Sequence, residues 1–334
     1  MFQEVASSLP KPTESSSSEC VSEFAHLYKN YGKGPDLSQQ ERRNVLLKDQ
    51  KESRHRIVDT HRDFSKVFLD DESDNIGETS NEQQCEEMEV DRENSIKREH
   101  SFFLMRSEWF TEVPPDLEDN WLVKLAPDGF RVLLIAKKNK TTLVNERGKV
   151  LMLKTHLPGG GLSRIRGLTV LDCIYSKTMK KIFILDCLYW NTMSMLDSET
   201  TFRFYWLKNQ FDETTKLTET NKPHKLEAIL FFPAEKSLIQ QKVFESPPEY
   251  CSGVVFYHKE LQYIFKQTPL LGWLYSYMLP EKLGIDIPNE ILQRMPKGYQ
   301  CLEKYLEEKN SRKDQYQPKF KDKRVEDSKN MDTM

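Results

Sequence analysis

The sequence has no apolar run approaching the roughly 20 residues needed to span a bilayer. Met1 to Lys11 has neither the basic head nor the apolar stretch of a secretory leader. Neither a membrane partner nor a secretory route is expected. Cysteine is scarce, and the six residues Cys20, Cys85, Cys173, Cys187, Cys251 and Cys301 form no C-x-x-C pair. That spacing excludes a zinc framework and a disulfide scaffold, and fits reduced thiols of cytosol or nucleus. A strong net charge is also missing: 49 Lys and Arg stand against 52 Asp and Glu, which leaves −3. With no global basic field, any contact with nucleic acid must be a local site. No internal repeat is visible.

What is present divides by composition. Residues 1–36 are rich in Ser, Glu and Pro, with a serine run at Ser15 to Ser18, and read as a disordered arm. Phe2, Val5 and Leu9 in that arm are spaced as a sparse export-signal-like series. Residues 37–66 read as a basic helix. Ser38-Gln39-Gln40-Glu41 has the form of a capping box, so the helix is expected to start there. Its apolar residues, Val45, Leu46, Leu47, Ile57 and Val58, make a stripe too thin to bury a stable face on its own domain. A helix disordered alone and folded on a partner is expected. Residues 67–100 are strongly acidic and read as an extended, flexible linker. The globular part is expected over 101–308, and a charged, disordered tail over 309–334.

Inside the globular part, Trp121 to Leu125, Phe130 to Ala136, Val170 to Tyr175, Ile182 to Tyr189, Phe202 to Leu207, Leu226 to Phe232 and Gly253 to Tyr257 read as strands. They are short, rich in Val, Ile, Phe and Tyr, and bounded by turn residues. Ala234 to Gln241 and Pro288 to Arg294 are helix candidates. The fold class expected is α+β, mostly antiparallel sheet. The glycine run in Leu157 to Gly161 has no following Lys-Ser/Thr pair and reads as a long flexible hairpin loop rather than a phosphate cradle. His258-Lys259 reads as an ordinary strand-end pair.

Ala126-Pro127-Asp128-Gly129-Phe130-Arg131 resembles the K-x-D-G-x-R motif of the covalent nucleotidyltransferases, the group of mRNA guanylyltransferases and DNA ligases. In that group the lysine amine attacks the nucleotide phosphate. Ala126 stands at that position and cannot form the phosphoramidate. Ser252-Gly253-Val254-Val255-Phe256 resembles a later motif, with Ser252 at the position of its carboxylate. Leu270-Leu271-Gly272-Trp273-Leu274 resembles the last motif, with Gly272 and Leu274 at its two lysine positions. The ordered losses imply a guanylyltransferase-like fold kept for binding, with no catalytic residue, cofactor or metal.

The runs Leu104 to Trp109, Val113-Pro114, Leu157 to Gly160, Leu171 to Tyr175, Phe202 to Trp206, Phe256 to Lys259 and Thr268 to Leu270 are similar to those of the snurportin family, import adaptors for spliceosomal small nuclear ribonucleoproteins. The resemblance runs from residue 38 to about 285. It implies binding of the 2,2,7-trimethylguanosine cap of small nuclear RNA, with Trp273 as the stacking residue and Trp109 as the wall facing the methylated amine. Ser107 falls at a hydrogen-bonding position, and Phe130, Arg131 and Val132 fall on a cap-contacting strand. Where the family has a lysine near the cap, this chain has Glu146 followed by Arg147. The resemblance also implies an importin-β-binding helix over Gln40 to Arg62, with Arg42, Arg43, Leu46, Gln50, Lys51, Arg54 and Arg62 as its contacts. An exportin for recycling and shuttling between cytoplasm and nucleus would follow. The competing classes are an active or vestigial guanylyltransferase and a binder of the monomethyl cap. Trp121, Trp190 and Trp206 read as core, and Arg131 reads equally well as the partner of a structural salt bridge.

Overall fold

The computed structural model describes residues 37–53, 104–145 and 148–315. The arm of 1–36, the linker of 67–100, the tail beyond 315, and Arg54, Arg62, Glu146 and Arg147 lie outside the described residues. The chain begins with α1 (Gln39–Ser53), β1 (Arg106–Trp109) and α2 (Leu117–Asn120). Seven strands follow: β2 (Trp121–Ala126), β3 (Phe130–Lys137), β4 (Lys140–Asn145), β5 (Gly148–Leu153), β6 (Thr169–Ser176), β7 (Lys181–Trp190) and β8 (Met193–Ser194). Then come α3 (Thr200–Glu213), β9 (Lys225–Ala228), β10 (Phe231–Pro233), α4 (Lys236–Glu245), β11 (Gly253–His258) and β12 (Gln267–Tyr275). Three helices close the described chain: α5 (Leu279–Leu283), α6 (Asn289–Leu292) and α7 (Leu302–Gln315). No helix among the described residues is long and apolar enough to cross a membrane.

The strands form two sheets. One has the order β1-β12-β11-β2-β10, and the other runs β5-β4-β3-β6-β7-β8 with β9 beside β7. All pairings are antiparallel except β1 with β12 and β7 with β9. The fold is α+β with mostly antiparallel sheet. Strand β2, Trp-Leu-Val-Lys-Leu-Ala, is buried at every position because it lies inside its sheet with both faces covered. Leu122 and Ala126 join Leu133, Ile174, Phe183 and Val255 in a core fed by both sheets. Val123 and Leu125 take the other face, against α2, α4 and the C-terminal helices. The outer face of the second sheet is covered by Leu207 and Phe211 of α3.

Four readings change. Phe202 to Leu207 is not a strand but lies within α3. Its aromatic residues have high strand propensity, yet the buried positions Phe204, Leu207 and Phe211 follow the helical period, and Phe202 and Tyr205 face solvent. Leu226 to Phe232 is not one strand: β9 joins one sheet and β10 the other, so this segment stitches the two together. The Leu157 to Gly161 loop is closely packed. Leu157 is fully buried, the amides of Gly159 and Gly160 bond to the carbonyls of Ile165 and Leu157, and Gly159 turns at φ 86° against Ala136. Helix α7 runs on to Gln315, past the boundary expected at 308. Cys173, Cys187 and Cys251 are buried free thiols, each pushed above the ordinary thiol range by burial.

Candidate functional site

β1 is the edge strand of the five-stranded sheet and pairs in parallel with β12, which sets Trp109 directly opposite Trp273. Both rings are partly buried. Tyr275 lies between them, with its ring centre 5.8 Å from Trp109 and 5.7 Å from Trp273. The position of Trp273 depends on Gly253 of the neighbouring strand. A Cβ at Gly253 would lie 2.2 Å from Cη2 of Trp273, so only glycine lets the indole lie across β11. The result is an aromatic cluster with two indoles at one edge of the sheet, an arrangement suited to a flat, cationic ring.

Around this cluster the candidate residues separate. Ser107 sits opposite Thr268 in the same ladder and is half-buried. Arg131 is a structural ion-pair residue. Its Nε donates to Asp172 Oδ1 at 2.6 Å, its Nη2 donates to Asp172 Oδ2, and Nη2 reaches the carbonyl of Met105 at 3.3 Å. Asp172 is fully buried and also accepts from Tyr263 Oη at 2.8 Å. This brace ties β3 and β6 to the chain entering β1. Phe130 and Val132 do not join the indoles. Their side chains turn to the other face of β3, where Val132 is fully buried and Phe130 meets Tyr175 at 5.5 Å.

The positions that resemble nucleotidyltransferase motifs are filled by packing. Ala126 and Leu274 are fully buried. Gly272 lies under Phe110, whose Cδ2 would be 2.2 Å from an added Cβ. Asp128 pairs with Arg294 at 2.9 Å, and Gly129 allows a close crossing against Tyr175 O. One amine nearby was not legible as special in the sequence. Lys124, two residues before Ala126, is buried, donates to Leu185 O at 2.6 Å and lies 3.7 Å from the centre of the Phe204 ring. Burial pushes its pKa down to about 7, against the opposing pull of Asp186. It is closed off from bulk solvent and lies in the wall of a small cavity that it shares with Phe204, Phe211 and Phe231. Among the described residues no cluster of His, Cys, Asp or Glu could hold a metal ion. His258 is buried, accepts from the amide of Glu260 through Nδ1, and meets the Trp121 ring edge-on.

Helix α1 corrects the expectation drawn from its thin apolar stripe. The capping box forms as read: Ser38 N donates to Glu41 Oε2 at 2.7 Å, and Glu41 N donates to Ser38 Oγ at 3.1 Å. The helix lies on its own domain, held mainly by polar groups. Arg42 makes a bidentate pair with Glu108 at 2.5 and 2.8 Å. Arg43 is 1% exposed. Its guanidinium donates to Pro269 O, Gln40 Oε1, Gln39 Oε1 and Glu112 O, and stands 5.3 Å and 5.2 Å from the ring centres of Phe110 and Trp121. Gln50 Oε1 accepts the Gln262 amide, Lys51 pairs with Glu260 at 3.0 Å, and Leu46 and Leu47 pack on the central core. A residue pattern with few apolar positions can dock when most of its buried polar atoms find partners, and among these α1 groups only Gln50 Nε2 is buried without a hydrogen-bond partner.

Two comparisons with known proteins bear on this arrangement. Residues 103–276 match the family model described as the Snurportin1 m3G cap-binding domain, and residues 26–63 match a second model described as Snurportin1. The chain belongs to the snurportin family. Both indoles and the whole β1·β12 pair fall inside the matched cap-binding domain. Solved structures with a likeness include the ligase domain of M. tuberculosis LigD, at 13% identity over 52% of this chain and 58% of that one, TM-score 0.37. A mycobacterial DNA ligase D complexed with ATP and MES matches at 14% identity, 52% and 61% coverage, TM-score 0.38. A Chlorella virus DNA ligase-adenylate matches at 13% identity, 52% and 67% coverage, TM-score 0.36. The chain thus covers less than two thirds of the first two of these structures.

Proposed function

We propose that this protein binds the 2,2,7-trimethylguanosine cap of spliceosomal small nuclear RNA and carries the ribonucleoprotein to importin-β. The observation that carries the reading is the in-register pair of Trp109 and Trp273 inside the family's cap-binding domain. Methylation at N7 makes guanine cationic, and a cationic ring stacked on an indole gains about 0.5 to 2 kcal/mol, more when dry. The two N2 methyl groups remove both donors of the exocyclic amine. A carboxylate that reads the amine of a monomethyl cap has nothing to bind, whereas an indole face accepts the methyl groups. Trp273 is the stacking wall and Trp109 the methyl-facing wall, with Ser107 the nearby hydroxyl. Arg131 acts through its brace to Asp172, holding the strands that carry the site.

Helix α1 is the importin-β segment of this reading. Its cationic heads Arg42, Arg43 and Lys51, with Arg54 and Arg62 beyond the helix, suit an acidic concave partner, and Leu46 and Gln50 lie between them. Recycling would use an exportin acting on the Phe2, Val5, Leu9 series, which places the protein in both cytoplasm and nucleus.

The test is fluorescence titration of the full chain with trimethyl and monomethyl cap analogues. Preference for the trimethyl cap, abolished by Trp273→Ala, is expected; equal affinity for both would remove Trp109 from its role. Incubation with labelled GTP and a divalent metal followed by a denaturing gel addresses the enzymatic reading, and a covalent guanylate band would overturn the binding-only assignment.

A further inference from the structure

The C-terminal helix reaches the Trp109 wall. Leu302 and Leu306 anchor α7 in the core beneath the five-stranded sheet. Its first turn is tied to α5, where Lys282 pairs with Glu303 at 2.7 Å and Glu281 accepts the Leu302 amide at 3.0 Å. Tyr305 and Lys309 are four residues apart and so share one helix face. The Tyr305 ring meets Trp109 edge-on, with centres 5.5 Å apart and planes at 72°. The Lys309 ammonium stands over the same indole, 4.8 Å from its centre, and 5.7 Å from the centre of the Tyr305 ring.

The N2 methyl groups assigned to Trp109 belong to a ring that carries the N7-methyl cation, so an ammonium over that indole holds the place they would take. Two cations cannot share that face without repulsion. A lysine ammonium is a compact, strongly hydrated charge on a flexible four-carbon stem, so the stem can swing it off the ring into solvent. The geometry points to Lys309 as an internal competitor for the cap: it occupies the Trp109 face in the free protein and is displaced when a cationic base binds. This rests on the assignment of Trp109 to the cap site. It adds a determinant of affinity from a helix that lies outside the matched cap-binding domain, since that match ends at residue 276.

The experiment titrates the full chain with trimethylguanosine nucleoside, which has no phosphate to attract the ammonium and so reads the indole face alone. Lys309→Met keeps the length of the side chain and removes its charge. It is expected to tighten nucleoside binding by about threefold or more. Lys309→Arg keeps the cation and is expected to bind as the unsubstituted protein does. If the unsubstituted protein binds trimethylguanosine and Lys309→Met leaves the affinity unchanged or weaker, the competitor role falls while the cap reading stands. Tightening by Lys309→Arg equal to that of Lys309→Met would also overturn it, since packing rather than charge would then be at work. If none of the three proteins binds trimethylguanosine in preference to guanosine, the cap reading itself fails.

Discussion

At the scale of single residues, charge burial sets testable behaviour. Lys124 has its folded pKa pushed down to about 7, below the ordinary lysine value of 10.5. Between those values the unfolded chain holds a proton that the folded chain has lost, so the contribution to stability rises with pH across that window. Below about 7 both states are protonated and the burial cost is greatest. Each pH unit inside the window is worth up to about 1.4 kcal/mol. Denaturant melts of the parent and of Lys124→Met, compared at several pH values, are expected to show the difference shifting in favour of the parent as pH rises above 7. A difference independent of pH would mean that Lys124 stays charged in the fold. Arg203 makes the opposite case. It is fully buried and forks onto Asp186 at 2.8 and 2.9 Å, with further bonds to Ser198 O and Leu261 O. Arg203→Met leaves Asp186 without its counter-charge and is expected to cost about 3 to 5 kcal/mol, read as a lower melting temperature. Gly253→Ala acts through shape. Its methyl would push on the Trp273 ring, so a loss of about 1 to 3 kcal/mol in stability is expected together with weaker cap binding.

At the scale of elements, α1 shows what is and is not legible along a chain. Its start was readable because both capping partners, Ser38 and Glu41, lie within one turn. Its docking was not, because two of the four groups that receive Arg43 are the carbonyls of Pro269 and Glu112, which only the fold brings near. The same distinction applies to the strands. β2, β3, β6, β7 and β11 were visible as β-branched and aromatic runs between turns. β1 and β12 escaped because β1 is four residues long and β12 contains a proline and a glycine. Trp109 and Trp273 were therefore legible as a pair only through family resemblance, and Tyr275, Tyr305 and Lys309 left no local signal. Arg43→Ala removes the head that fastens α1. Hydrogen exchange is expected to speed up across 39–53 and to stay unchanged in β11; unchanged exchange in α1 would show that Arg42 and Gln50 hold the helix unaided.

At the scale of the whole molecule, the donors of Arg42 and Arg43 cannot serve two acceptors at once. Those heads are engaged by Glu108, Glu112 and Pro269 of the same chain. A receptor that takes them must first break these bonds, so a peptide of residues 37–66 is expected to bind importin-β more tightly than the full chain does. Charge reversal by Arg42→Glu with Arg43→Glu is expected to abolish that binding in both. Calorimetry on the two forms checks the ordering, and equal affinities would show that the docked helix is no barrier.

The parallel pairing of β1 with β12 has a consequence in time. One indole sits on the first strand of the sheet and the other on the last, with every other strand of both sheets between them in sequence. Such a long closure is among the slower events in folding, and a chain emerging from the ribosome cannot make it until residues beyond Trp273 are free. The molecule therefore acquires its pair of indole walls only after β12 has left the ribosome, and a chain stopped before Trp273 is expected to lack them.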